Sequence, residues 1–474
     1  MKTVSAAALG GLLPALALSA CSLAPKYIAP TPPVPPSWPV GDAYLAQSEA
    51  SLPLVSYKEI FRDARLQALI EQALVNNRDL RAAAANLAAA RAQIRVVRAN
   101  QFPAVGISGS AARTEQGGGS SGDGWTYAVQ GGVSSFELDL FGKLANATAA
   151  QHDTALATEA SARTVRLGLV SDLALAWATY AADRDLQSIA QSTVANAQDS
   201  VRLTAARLKG GVAPRTDLSQ AQQVLETAKG DVASQKTALA QDINAIRLLV
   251  GADFDQSLLP DGIGEVSEGL AVLPAGTSSQ VLLRRPDVVS AEYDLRAANA
   301  DIGVARAELF PSISLTGLLG FASDALSSLF DGGAFKATAG ANANWSIFNA
   351  GGKAANVDVA KTRRDAALAN YEKAIQTAFR EVADALADQG TLAERLRAAS
   401  AYTAAAQDTA RLTEATYRHG ITSSLDNLDA QRSLYAARRS EIAVRLQGAA
   451  NRITLYRVLG GDQATGPRDE RGTN

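Results

Sequence analysis

The sequence has a single cysteine, Cys21, in 474 residues, so no disulfide can form within the chain. Its two histidines, His152 and His419, stand at unrelated positions, which speaks against a histidine metal centre or a nucleophile–histidine triad. Neither sign of charge is in excess: 45 Lys and Arg against 47 Asp and Glu leave a net charge of −2, too weak a field to attract nucleic acid. After residue 21 no uninterrupted apolar run is long enough for a transmembrane helix, so any membrane crossing has to be made with strands. Gly351-Gly352-Lys353 lacks the spaced glycine of a phosphate loop, since Ile347 stands where that loop needs one. No cofactor or enzymatic activity is expected. Proline, finally, is missing from 144–209 and from 354–419, and each stretch holds one glycine, Gly168 or Gly390.

What is present is a duplication. Asp79, Leu87, Ile94, Arg98, Phe102 and Pro103 match Asp287, Leu295, Ile302, Arg306, Phe310 and Pro311, displaced by 208. Gly142-Lys143 matches Gly352-Lys353 at a displacement of 210, and Arg202-Leu203-Thr204, Gly211 and Asp217 match Arg411-Leu412-Thr413, Gly420 and Asp426 at 209. Three blocks in one order at nearly one offset define two repeats. Each reads as helix, strand, loop, strand, very long helix, tight turn, long helix. The proline-free stretches predict helices of roughly 100 Å at 1.5 Å per residue. Their return helices carry a seven-residue seam, Leu218, Leu225, Val232, Leu239 and Ile246 in one repeat and Leu428, Tyr435, Ile442, Ala449 and Tyr456 in the other.

Strands are expected over 104–113, 125–140, 312–321 and 335–348, each alternating apolar and polar residues. In 125–140 the apolar phase is odd at Trp125, Tyr127, Val129 and Val133 and even at Phe136, Leu138 and Leu140. That switch, just after Gly131-Gly132, predicts a bulge or bend. One apolar face over about ten residues suits a lipid-facing barrel strand and equally a half-buried soluble hairpin. Trp125, Tyr127, Phe335 and Trp345 near strand ends fit either an interfacial girdle or a core. Four strands cannot close a spanning barrel, and an open edge is not viable in lipid, so a membrane sheet requires further copies of the chain. The turns between long helices are Gly210 to Pro214, with Thr216 as a candidate N-cap, and Gly420-Ile421-Thr422, with Ser423 or Ser424 in that role.

At the N-terminus, Lys2, the apolar stretch 6–17 and Leu18-Ser19-Ala20-Cys21 form a secretory signal. The last four residues resemble a bacterial lipobox, in which the cysteine becomes an acylated N-terminus. With the Pro-rich leader from Pro25 to Pro39, the duplicated helix ending in Phe-Pro, the run Phe136-Glu-Leu-Asp-Leu-Phe-Gly-Lys143 and the paired tips, the chain resembles the TolC-like outer-membrane efflux factors, in particular their acylated NodT branch. The resemblance covers residues 21 to about 461.

It implies an α+β membrane protein: a trimeric channel-tunnel with a 12-stranded β-barrel, four strands per chain, on a long periplasmic α-helical barrel, built from two internal repeats. It implies the division 1–20 signal peptide, 21–61 acylated segment, 62–251 first repeat, 252–278 linker, 279–461 second repeat and 462–474 tail. It also implies lipidation at Cys21 and location in the outer membrane with extension into the periplasm. The tips Gly210, Gly211, Val212, Gly420, Ile421 and Thr422 would contact a periplasmic adaptor, itself joined to an inner-membrane resistance-nodulation-division transporter. A periplasmic gate would lie at Leu425 and Asp429; Gln220 matches Asp429 in the first repeat, so the acidic ring has three members. Asp426 suits a helix cap better. A type I secretion duct, or a pore-less coiled-coil scaffold lipoprotein, are the competing readings.

Overall fold

The computed structural model describes residues 22–41, 43–44, 56–115, 124–271 and 279–461. The signal peptide, Cys21, the Gly-rich loop at 116–123 and the tail lie outside the described residues. In chain order the elements are α1 (Tyr57–Ile60), α2 (Ala64–Asn76), α3 (Arg78–Ala99), β1 (Val105–Thr114), β2 (Gly124–Leu138), α4 (Lys143–Lys209), α5 (Arg215–Val250), α6 (Ile263–Gly269), α7 (Pro286–Ala307), β3 (Ser312–Ser323), β4 (Phe335–Asn344), α8 (Gly352–Arg418) and α9 (Ser424–Val458). The two proline-free stretches are each one helix of 67 residues.

The chain forms two compact units, each drawing on both repeats. Among the described residues, one takes those up to Thr31, Ala85–Ala160 and Val289–Lys373; the other takes those in Pro32–Ala84, Ser161–Val288 and 374–461. The first unit holds a four-stranded antiparallel sheet in the order β1-β2-β3-β4. The second has a core in which the short helices pack on the long ones. Leu69 and Ile70 of α2, Trp177 of α4, Ile246 of α5 and Ile263 of α6 are fully buried there, and the Trp177 indole donates to the Leu258 carbonyl at 3.0 Å. Its seam follows the seven-residue spacing: Leu225 and Ile246, and Leu428, Ile442, Ala449 and Tyr456, are all buried. Arg285 is also buried there; its guanidinium reaches Asp287 at 2.7 Å, Glu381 at 2.8 Å and the Val458 carbonyl at 3.0 Å.

Two strand ends differ from the alternation. β2 stops at Leu138 and β4 at Asn344, although apolar and polar residues go on alternating to Leu140 and to Ile347. A strand needs a ladder partner as well as a pattern. Asn344 pairs with Ser312, the first residue of β3, and Leu138 pairs with Ile313. Before Ser312 stands Pro311, which has no N–H to offer, so the ladder ends there. Trp345 thus lies beyond β4, and its indole donates to the Leu309 carbonyl at 3.1 Å.

Candidate functional site

The sheet has two chemically different faces. Cross-strand pairs put Ile107, Trp125, Tyr127, Val129, Val133, Ile313, Leu319, Phe321 and Phe335 on one side. Ser108, Ser110, Thr126, Gln130, Ser314, Lys336, Thr338 and Asn342 occupy the other. The phase switch in β2 would turn Phe136 and Leu138 to the polar side of a regular strand. Instead the register steps: Val133 faces Gly317 and Phe136 faces Leu315, so β2 spends one extra residue. The bulge restores Phe136 and Leu138 to the apolar face. Gly132 beside it has φ +142°, and a Cβ there would stand 2.2 Å from the Gly317 carbonyl oxygen. Thr316 bridges the bulge, donating to the Ser134 carbonyl at 2.9 Å.

Every residue of β1 and of β4, the two edge strands, is exposed. Among the described residues nothing covers the apolar face at Ile107 of β1, 85% exposed, or at Leu319 of β3, 61% exposed. At the loop end of that face the Trp125 and Tyr127 rings stack at 5.9 Å, and Phe321 meets Phe335 at 5.9 Å and Phe330 at 5.7 Å. Aromatic rings at one end of an uncovered apolar band suit the boundary of a bilayer. At the other end, where strands give way to helices, Lys143 and Lys353, equivalent in the two repeats, line one cavity of about 300 Å³ with Glu137 and Glu308. Gly142 turns with φ 72° and Gly351 with φ 84°, the strand-to-helix hinges.

The helix tips repeat one another bond for bond. Gly211 N–H donates to the Leu208 carbonyl and Val212 N–H to that of Arg207, both at 3.0 Å. At the second tip Gly420 N–H donates to Tyr417 at 2.9 Å and Ile421 N–H to Thr416 at 3.0 Å. These are paired Schellman closures, and the left-handed φ of 75° and 76° at the two glycines explains why glycine stands there. The restarts differ. α9 opens with Ser423 as N-cap: its hydroxyl accepts from the Asp426 N–H at 3.1 Å and donates to the Asp426 carboxylate at 2.7 Å. Asp426 is thereby a capping residue. α5 instead opens after Pro214, which makes no side-chain cap, so Thr216 lies inside the helix rather than at its N-cap. Val212 and Ile421 are each 78% exposed. Leu425, 57% exposed, and Asp429, also exposed, lie one turn apart on the same face of α9, while Leu428 is buried.

A contact between the tips was not legible in the sequence. The Tyr417 hydroxyl lies 3.1 Å from the Thr204 hydroxyl in a buried contact. The Arg207 guanidinium stacks 4.2 Å from the Tyr417 ring centroid and donates to the Tyr417 carbonyl at 2.6 Å. These residues join the end of α4 to the end of α8. The one sequence signal was a break in the repeat, since Tyr417 and Thr416 replace the Leu208 and Arg207 of the first copy.

The outer membrane efflux protein family matches residues 69–252 and 277–461, one match for each repeat. This chain belongs to that family. Among its relatives are the antibiotic efflux pump outer membrane protein ArpC of Pseudomonas putida, 41% identical over 94% of both chains, and the cation efflux system protein CusC of Escherichia coli K12, 39% identical over 94% of this chain and 97% of CusC. A crystal structure of CusC superposes with a TM-score of 0.83 over 93% of this chain and 100% of CusC, at 39% identity. The open state of the MtrE outer membrane channel of Neisseria gonorrhoeae gives 0.83 at 32% identity, over 93% of this chain and 98% of MtrE. The outer membrane efflux protein is therefore an efflux-pump channel rather than an enzyme, a secretion duct or a scaffold without a pore. Its two-repeat fold, with four strands per chain and long helices, is that of those channels.

Proposed function

We propose that three copies of the chain close their open sheet edges into a 12-stranded barrel and conduct small molecules passively from the periplasm to the exterior. The observation that carries this is the sheet: one apolar face, one polar face, and two exposed edge strands that lipid would not tolerate unpaired. In such a barrel the polar face lines the pore and the apolar face meets lipid. The polar side offers scattered Ser, Thr, Asn and Gln rather than one selective pocket, as suits a duct that discriminates little. On this reading the chain has a leader at 1–20, an acylated segment at 21–61, repeats at 62–251 and 279–461, a linker at 252–278 and a tail at 462–474. Cys21 carries the lipid that tethers the protein to the membrane, which labelled palmitate incorporation into wild type but not Cys21→Ser would report.

The periplasmic gate is the Leu425 and Asp429 face of α9, supported by their joint exposure. Three copies give three carboxylates in a ring, which favours cations. The tips at Gly210, Gly211, Val212, Gly420, Ile421 and Thr422, all exposed except the half-buried Thr422, dock a periplasmic adaptor, which links the duct to an inner-membrane resistance-nodulation-division transporter. Two exposed aliphatic side chains on equivalent rigid turns give such a partner a repeated apolar contact. Single-channel recording in planar bilayers tests the reading. Wild type is expected to show a small cation-selective conductance, and Asp429→Ala a larger, less selective one. A pore indifferent to the substitution would remove the gate assignment, and a folded oligomer with no conductance would remove the pore.

A further inference from the structure

The described chain starts at Ser22, next in sequence to Cys21, and its first residues lie along a single stripe of α7. Glu292, Arg296, Asn299, Gly303 and Arg306 are spaced by four, three, four and three residues, so they share one helix face. Arg306 Nη1 donates to the Leu23 carbonyl at 3.0 Å, and Asn299 Nδ2 donates to the Pro25 carbonyl at 2.7 Å. The Tyr27 hydroxyl donates to Glu292 at 3.3 Å, under an Arg296 guanidinium 5.0 Å from its ring centroid. From α4, the Asn146 Oδ1 accepts from the Ser22 hydroxyl at 2.8 Å. Gly303 makes room in the middle: a Cβ there would stand 2.8 Å from both the N and the Cβ of Ala24, and 2.5 Å from the Asn146 Nδ2. Glycine is unfavourable inside a helix, so its presence on this stripe calls for a close neighbour, and the strap is that neighbour.

The duplication supplies an internal control. α3 is the counterpart of α7 at a displacement of 208, and the five positions read Ala84, Ala88, Arg91, Arg95 and Arg98 there. Only the last donor is kept. Arg91 is turned to Glu159 at 2.7 Å, the Tyr27 clamp is replaced by two alanines, and a long cation stands where the groove needs no side chain at all. No residue of α3 is buried, whereas the matching face of α7 carries the strap.

We infer that α7 is a built seat for the chain's own N-terminal segment, addressed by Gly303, and that it ties residues 23–27 to the second repeat while Asn146 of α4 holds Ser22. The seat thus breaks the likeness of the two repeats and gives each protomer one fixed departure point for its anchor. It does not rest on the gate. Lys26 is exposed within the strap, and Lys209 is exposed at the first tip. Trypsin digestion of the full-length protein in detergent, followed by mass spectrometry, reads cleavage after Lys26 relative to cleavage after Lys209. A docked backbone cannot enter a protease cleft, so the ratio tracks the undocked population. Gly303→Arg, which copies Arg95, is expected to raise that ratio about tenfold or more, while Arg95→Gly leaves it at the wild-type value. An unchanged ratio in a Gly303→Arg protein that still forms the wild-type oligomer would overturn the inference. If Gly303→Arg does not assemble, Asn299→Ala combined with Arg306→Ala removes only donors, and the inference stands or falls on whether its ratio rises at least about threefold.

Discussion

In the proposed gate the α8–α9 tip leaves α4 on opening, and the Thr204–Tyr417–Arg207 contact stands in the way. Tyr417→Phe removes the hydroxyl facing Thr204 across 3.1 Å, with Thr204 1% and Tyr417 3% exposed. A buried hydroxyl left without its partner costs about 1–2 kcal/mol. Arg207→Ala removes a charged donor to the Tyr417 carbonyl, about 1.5–3 kcal/mol, and a stacked cation worth about 0.5–1 kcal/mol at a partly exposed site. The two changes share Tyr417, so they do not add fully, and about 3 kcal/mol per protomer is expected for the double variant. That corresponds to roughly two orders of magnitude in the closed-to-open ratio at each protomer. In planar bilayers the double variant should spend most of its time in a larger conductance state, and each single variant should lie between it and wild type. The measurement needs a control: the oligomer must survive SDS at room temperature as wild type does. An intact double variant with wild-type conductance and open probability would show that this contact is not part of the gate.

Two further outcomes follow from other sites. Gly132→Val forces a side chain into the Gly317 carbonyl at the bulge, where even a Cβ stands 2.2 Å away. It should cost about 3 kcal/mol or more per chain and abolish the SDS-resistant oligomer; assembly at wild-type yield would refute the steric argument. In the α4–α5 pair, burial and the facing Asp183 carboxylate push Asp242 up to about 6, and burial raises Asp183 as well. The folded chain therefore keeps a proton that the unfolded chain gives up near the ordinary carboxylate value, so stability is highest in acid and falls as pH rises through about 6. Both side chains are half-exposed, and solvent screening reduces the effect to about 1 kcal/mol. Asp242→Asn should flatten the change in urea midpoint between pH 5 and pH 7.5, and a slope equal to wild type would remove the pair as its cause.

Several features of this protein were decided within short stretches of chain. Gly211 and Gly420 close their helices through bonds to residues no more than five positions back, so the two tips were visible as glycines followed by polar residues. The bulge was visible too, because a period-two pattern that changes phase between Val133 and Phe136 has to gain a residue if both ends are to face one solvent. The duplication set the element order twice, and the absence of proline from 144–209 and 354–419 set the two longest helices. Other features needed partners far away in sequence. Where β4 ends depends on Ser312 and Pro311, not on the alternation that runs on to Ile347. Thr204 and Tyr417 are 213 residues apart, and Asn299 and Pro25 are 274 apart. Nothing local in a threonine, a tyrosine or a glycine says that it will meet a particular residue there. Only the packing of two long helices, and of a strap on a third, brings such groups within hydrogen-bond reach, since side-chain contacts between distant segments are set by the register of the helices that carry them.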